Sequence, residues 1–524
     1  MAGVTTPRTL LDLYQSAVAS GVPELLISKV DGKWTPVSAE EFGRKVRSVA
    51  LGLTYLGVDR GDRVAILSEN RPEWPITDFA TLALGALTVP IYTTYLAPQV
   101  EYILRDAEPK VVVVSNYTEL KKVLDVLNRC PAVERVILIE GEPPQSDRVF
   151  SFSTLIRQGD QLLRADPMAF ADRVSSLGPG DFASMIYTSG TTGEPKGAVL
   201  THGNFVSNVS AVGEAYPQVV AGKVALSFLP LSHVFERMVD YLYFMRGVTI
   251  AYAESVDKLS ENFGEVKPQF FAGVPRVYEK ILQRVMGQVE KAPALRRKIF
   301  AWATSAGRER LAKIERGQAV SSFLGLQFRV ADRIVFSKIK ARLGGRFEFA
   351  ISGGAPLAKD VAEFFWGAGV EIYEGYGLTE TAPVLSCNRP GEFRLGTVGK
   401  PISGVSIKIA EDGEVLAKGP NIMEGYWRKP EETNKVFDQE RWFHTGDIGS
   451  FDQDGFLTLT DRKKEIIVSA YGKNIAPAPI EGALKAMRYV SSAVLIGDRK
   501  KFLSALIVPN FERLESWAIA NSVD

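Results

Sequence analysis

The sequence predicts an α/β protein of more than one domain, and three observations predict it. Short β-branched runs alternate with helical stretches through the first half of the chain, and a second series of the same kind follows. From about Val405 the texture changes to short strands joined by tight turns. Alternation of the first kind builds βαβ units and a mostly parallel sheet, whereas the second kind builds a small antiparallel one.

The first series comprises Arg63 to Leu67, a helical stretch from Trp74 to Leu84, then Val89 to Tyr92, Lys110 to Val114 and Val136 to Ile139. The second comprises Val224 to Leu229, Val248 to Tyr252, Gln269 to Ala272, Phe347 to Ile351 and Glu371 to Tyr373, and predicts a second α/β subdomain packed beside the first. Two sheets meeting in this way leave a cleft. Val405 to Ile409, the Asp412-Gly413 turn and Val415 to Lys418 predict a small β-rich subdomain. After the Gln453-Asp454-Gly455 turn and the run Phe456 to Thr460 comes a charged stretch, Asp461 to Glu465, where a hinge is expected. The domains are therefore drawn at 1–460 and 461–524. The second is a partial α+β domain, with strands at Ala493 to Ile496 and Leu503 to Val508 and a helix near Phe511 to Ile519.

Composition excludes several classes. With 62 Lys and Arg against 61 Asp and Glu the net charge is +1, so no global field favours nucleic acid. Cys130 and Cys387 lie far apart and match no metal-ligand spacing, which fits a reducing compartment and two small buried thiols. Met1 to Leu11 lacks the pattern of a secretion signal, and the most apolar stretch, Phe79 to Tyr92, is too short for a bilayer. A cytoplasmic protein is expected.

The strongest chemical signal is Tyr187-Thr188-Ser189-Gly190-Thr191-Thr192-Gly193-Glu194-Pro195-Lys196-Gly197, set between the apolar runs Ala183 to Tyr187 and Ala198 to Leu200. Glycines let backbone N–H groups approach an anion closely, hydroxyls add donors, and Lys196 adds charge, so a phosphate-binding loop is expected. Lys196 is preceded by proline and followed by Gly197, which separates the loop from the Walker type.

Further motifs follow: Pro230-Leu231-Ser232-His233, Gly273-Val274-Pro275-Arg276, Ser352-Gly353-Gly354-Ala355-Pro356, Tyr376-Gly377-Leu378-Thr379-Glu380, Thr445-Gly446-Asp447 and Asp461-Arg462-Lys463-Lys464. In this order they resemble the adenylate-forming superfamily of acyl-CoA synthetases, luciferases and nonribosomal adenylation domains, over nearly the whole chain. The resemblance implies that an acid's carboxylate attacks the α-phosphate of ATP, giving an acyl-adenylate and pyrophosphate. Two anions must then be held together while charge develops between them.

The resemblance also implies roles. Thr188, Ser189, Gly190, Thr191, Thr192, Gly193 and Lys196 would hold the phosphates. Glu380 would bind Mg²⁺, a hard cation that prefers oxygen ligands. Thr379 would contact the α-phosphate or the acyl carboxylate. Tyr376 would stack on adenine in a pocket lined by Gly353, Gly354, Ala355, Glu374, Gly375 and Gly377, and Asp447 with Arg462 would take the ribose. The three histidines, His202, His233 and His444, all fall in or beside these motifs. His233 would stand between carboxylate and ATP, His202 would support the phosphate loop, and His444 carries no derived role.

Residues 276–345 hold sixteen Lys and Arg against five Asp and Glu, interleaved with Phe300, Trp302, Phe323 and Leu326. Two readings stay open: a helical insertion packed by its apolar stripe, or a surface for peripheral contact with an anionic membrane. An insertion here, with PLSHVFER over 230–237, looks like the long-chain fatty acyl-CoA synthetases, so a long-chain fatty acid is the expected substrate. CoA is the expected acceptor, because Ser469, Tyr471, Gly472 and Lys473 resemble the synthetases' loop over the pantetheine tunnel. Tyr471 departs from the commoner glycine. A ligase that loads a carrier protein, or a nucleotide- and lipid-binding protein without turnover, are the alternatives. The resemblance further implies a C-terminal lysine that assists adenylation; the chain stops at Asp524 before that segment, so slow adenylation by a shortened chain is expected.

Overall fold

The computed structural model describes residues 6–188, 194–465, 467–468, 474–485 and 487–523. Two large sheets organise them. The first has eight strands in the order Gly425–Tyr426, Lys196–Thr201, Phe182–Thr188, Leu87–Ile91, Arg63–Leu67, Val111–Val114, Arg135–Leu138 and Val149–Ser151. From Phe182–Thr188 onward its strands are parallel, as the alternation of the sequence predicts. Runs such as Val111–Val114 are buried throughout, the pattern of a parallel strand covered on both faces.

The second sheet has nine strands. Its parallel centre is Glu371–Gly377, Phe349–Ser352, Phe270–Gly273, Val224–Ser227, Thr249–Tyr252 and Leu26–Val30. Lys33–Val37 closes one edge and Val384–Cys387 with Lys400–Pro401 the other, all antiparallel. The expected strands therefore stand within a few residues of their predicted places. The strands Leu26–Val30 and Lys33–Val37 are additions to those expected, joined by a two-residue turn at Asp31-Gly32, a pair that favours such hairpins.

Between the sheets lie helices buried on every side. Val234–Arg246 is buried from Val234 to Phe244 without a break, and Glu73–Ala83 is buried from Trp74 to Ala83. Such helices cannot show amphipathic periodicity, and a charge on them must be paired. Arg237 supplies the example. Its guanidinium meets Asp78 at 2.5 Å and Ser184 Oγ at 2.6 Å, while the Tyr241 hydroxyl donates to Asp78 at 2.6 Å and Thr88 donates to the same carboxylate at 2.7 Å. The network ties a helix of the second subdomain to a helix and two strands of the first.

On the outer side, Ala39–Tyr55 and Phe152–Ala165 pack so closely that a Cβ on Gly159 would lie 1.7 Å from the Ser48 carbonyl oxygen. Only glycine fits there.

The β-rich subdomain is an antiparallel sheet of Ser406–Ile409, Glu414–Lys418, Phe443–Phe451 and Leu457–Arg462. Its last strand carries Asp461 and Arg462, paired with Ile448 and Asp447, so these two residues belong to the sheet. Beyond them, Val490–Ile496 and Ser504–Pro509 form a hairpin accompanied by the helices Pro477–Lys485 and Phe511–Asn521.

Candidate active site

A cleft of about 1050 Å³ opens where the two large sheets and the β-rich subdomain meet. Its lining falls into two chemical groups. Thr188, Lys196, Thr379, Glu380, Arg462, Lys463 and Lys464 make one part polar and largely cationic, and Val212, Tyr216, Val234, Met238, Ile351 and Val384 make another apolar. A cavity of this composition suits an amphiphile with an anionic head placed beside phosphates.

The hairpin Phe182–Thr188 and Lys196–Thr201 sets the first element. Thr188 and Lys196 face each other across its last register pair, and both line the cleft. Ser189, Gly190, Thr191, Thr192 and Gly193 lie outside the described residues. Lys196 pairs with Glu432 and lies 5.2 Å from the centre of the Tyr426 ring. That contact holds the Glu432 carboxyl at about 2, so it is ionised at any ordinary pH.

Tyr426 also donates its hydroxyl to Glu380 Oε1 at 2.8 Å. Glu380 is the middle residue of a short helical turn, Thr379–Thr381, and is 8% exposed; burial raises its pKa and the Tyr426 hydrogen bond opposes the shift. Among the described residues no group of three His, Cys, Asp or Glu could cage a metal. A lone carboxylate beside a phosphate site does fit Mg²⁺, which keeps several waters and takes most of its other ligands from phosphate.

The strand Glu371–Gly377 supplies Gly375, Tyr376 and Gly377 to the cleft. Gly377 is required by close approach, since a Cβ there would lie 1.8 Å from the Pro383 carbonyl oxygen. Gly353 and Gly354 line the cleft beside them. Two expected members of this group do not. Ala355 is exposed beyond the lining, and Glu374 turns away, its Oε2 accepting from the Leu357 N–H at 3.3 Å. Glu374 is one residue deeper in the strand than the three that line the cleft, and its carboxylate is held by the Leu357 backbone. Burial pushes its carboxyl up to about 7, and its second oxygen has no partner among the described residues.

Tyr376 packs with Leu385, Val415, Ala417 and Leu457, and its hydroxyl donates to Asp447. Asp447 stands behind the cleft wall rather than in it, joined to the lining through Tyr376 and Arg462.

His233 occupies the N-cap of Val234–Arg246, where its Nδ1 accepts the Phe235 N–H at 3.1 Å. The neutral ring therefore carries its proton on Nε2, and burial lowers its pKa, so it stays neutral. His202 has a partner of another kind. It is fully buried just after the strand Lys196–Thr201 and accepts from the Leu10 N–H at 3.2 Å, so it anchors the N-terminal helix. His444 lines the cleft and contacts Glu414 Oε2 at 3.1 Å.

Sequence reasoning overlooked Glu432, Tyr426 and Glu414. The last accepts from the Gly446 N–H at 3.0 Å and from Lys463 at 2.8 Å, bracing the Thr445-Gly446-Asp447 turn. No local pattern marks these residues, since each earns its place only through distant pairing. Ser469, Tyr471, Gly472 and Lys473 lie outside the described residues.

The model for AMP-binding enzymes matches residues 17–427, and that for the AMP-binding enzyme C-terminal domain matches 464–522. The chain belongs to the AMP-binding enzyme family. It is 40% identical over 494 residues to the long-chain-fatty-acid-CoA ligase FadD15 of Mycobacterium tuberculosis, covering 94% of this chain and 80% of that one. To the long-chain-fatty-acid-CoA ligase ACSBG2 of Xenopus laevis it is 34% identical, covering 96% and 69%. Among solved structures, the anthranilate CoA ligase AuaEII in complex with anthranoyl-AMP superposes with a TM-score of 0.75 at 21% identity, covering 97% of this chain and 88% of that one. ATP-bound MatB from Rhodopseudomonas palustris gives 0.72 at 23%, covering 96% and 89%. At these identities the structures establish that this AMP-binding enzyme shares their fold.

Proposed function

We propose that the chain activates a long-chain fatty acid with ATP and passes the acyl group to CoA. A carboxylate oxygen forms a bond to the α-phosphorus as the bond to the β-phosphate oxygen breaks, releasing pyrophosphate. The CoA sulfur, its proton lost, then attacks the acyl carbon and AMP leaves. The observation that carries this reading is the single cleft that joins Lys196, Glu380 and His233 to an apolar wall of Val212, Met238 and Val384.

The residues divide the work. Lys196 and the glycine-rich turn before it meet the phosphates, Thr379 the group at the reacting phosphorus, and His233 offers its Nε2–H to a carboxylate in the cleft. Tyr376, Gly353, Gly354, Gly375 and Gly377 receive the base, with Asp447 and Arg462 at the ribose. Glu380 would hold Mg²⁺, which when bound neutralises phosphate charge. Relatives named long-chain-fatty-acid-CoA ligases support the choice of acid and acceptor.

Pyrophosphate exchange into ATP, driven by acids of increasing length, tests the first half-reaction, and mass spectrometry of the product with and without CoA tests the second. Exchange that rises with chain length and yields acyl-CoA is expected. Exchange without acyl-CoA would replace the acceptor, and no exchange with any acid would remove the activity.

A further inference from the structure

The helical layer of residues 291–342 is already packed on one side. Within Ser322–Ala331 and its continuation through the π-helical turn Asp332–Phe336, Leu324, Ala331 and Phe336 are buried. Phe328 also points inward, 5.9 Å from the Phe336 ring and 4.3 Å beneath the Arg310 guanidinium. The layer's core is thus complete. A second apolar face remains in solvent.

That face is a stripe. Phe323 is 70% exposed, Leu326 53%, Val330 45% and Ile334 42%, at spacings of three and four residues that align along one side of a helix. Arg329 and Arg333 are exposed beside it, and across 291–342 ten Lys and Arg side chains are exposed against one carboxylate, Glu309. An exposed apolar row is unfavourable in water and needs a reason. A second copy of this chain would bring like charges together, and a nucleic acid has no use for the row.

We propose that this surface docks on the headgroup region of an anionic phospholipid bilayer, the stripe inserted among the acyl chains and the arginines among the phosphates. Both halves of the surface then find partners: apolar side chains leave water, and cations meet a negative surface potential. The layer grows directly from the strand Phe270–Gly273, whose following residue Val274 neighbours Gly354 in the cleft lining. An acid dissolved in the bilayer would therefore be held near the enzyme that uses it. The docking itself does not depend on the proposed reaction.

Flotation of the full chain with vesicles of phosphatidylcholine, alone or containing phosphatidylglycerol, reads the contact without any assay of activity. Binding to the anionic vesicles, absent from the neutral ones and released as salt is raised, is expected. The triple variant Phe323→Glu, Leu326→Glu, Val330→Glu and the double variant Arg329→Glu, Arg333→Glu should each lose at least about tenfold in binding. Both should keep the circular-dichroism spectrum and thermal midpoint, because all five side chains stand in solvent. Equal binding to neutral vesicles, binding retained by either variant, or no binding by the unmodified chain would overturn the proposal. So would a dimer in sedimentation that the triple variant dissolves, which would assign the stripe to contact between copies.

Discussion

The Tyr376 hydroxyl donates to Asp447 Oδ2 at 2.6 Å, while Arg462 Nε approaches the other carboxylate oxygen at 3.4 Å. Burial raises the Asp447 pKa, and these two contacts oppose it. Tyr376→Phe removes the donor and leaves a buried carboxylate short of a partner, at a cost of about 1–3 kcal/mol in stability. The Asp447 pKa should then rise further. If ionised Asp447 is needed for nucleotide, the KM for ATP increases and the acid limb of the pH–rate profile moves to higher pH. A profile that stays in place would separate Asp447 from the nucleotide.

Lys196 and Glu432 form an ion pair at the mouth of the cleft. Lys196→Ala should raise the barrier to adenylation by about 2–4 kcal/mol, as for loss of one oriented donor. Glu432→Gln should act in the other direction on binding. With its partner neutral, Lys196 no longer exchanges one anion for another, and the KM for ATP should fall by a small factor, since a solvent-screened pair of this kind is weak. Steady-state kinetics of the two variants decide it, and a higher KM in the glutamine variant would give Glu432 a role of its own.

The Arg237–Asp78 pair is 1% exposed on each side. Arg237→Met leaves Asp78 buried and uncompensated, which should cost about 3–5 kcal/mol in urea unfolding. The Asp78→Asn, Arg237→Met double variant should recover much of that loss, because neither residue is then charged. Equal loss in single and double variants would show that packing, not charge, is at stake.

This network also shows what could be read in the sequence. Parallel strands were legible because Val111–Val114 and its like are short, β-branched and separated by helices. Lys196, His233, Gly353, Gly354, Tyr376, Thr379, Glu380 and Arg462 in the cleft lining were legible as members of ordered motifs. Arg237 was visible as part of PLSHVFER, yet Asp78, 159 residues away, was not. Glu374 stands outside the cleft lining because its carboxylate accepts from the Leu357 N–H, a partner that no motif marks. Glu432 and Glu414 were invisible because ion pairs across long separations leave no spacing.

Two buried groups should give the stability of this protein opposite slopes against pH. His202 is neutral in the folded chain, its pKa lowered by burial to about 4 from 6.5. Between those values the unfolded chain binds the extra proton, so stability falls as pH drops through this window, by up to about 3 kcal/mol. His202→Gln, which keeps an acceptor for the Leu10 N–H, should abolish that slope. Asp240 behaves in reverse. It is buried next to Glu236, and burial is the main cause that pushes its carboxyl up to about 8. The folded chain therefore holds the proton from about pH 4 to 8 while the unfolded chain releases it, and stability falls as pH rises through that range. Asp240→Asn should gain on the unmodified chain steadily with pH, reaching its full advantage above pH 8. Urea unfolding of the three proteins at a series of pH values measures both slopes, and a difference that does not change with pH would remove the titration from either residue.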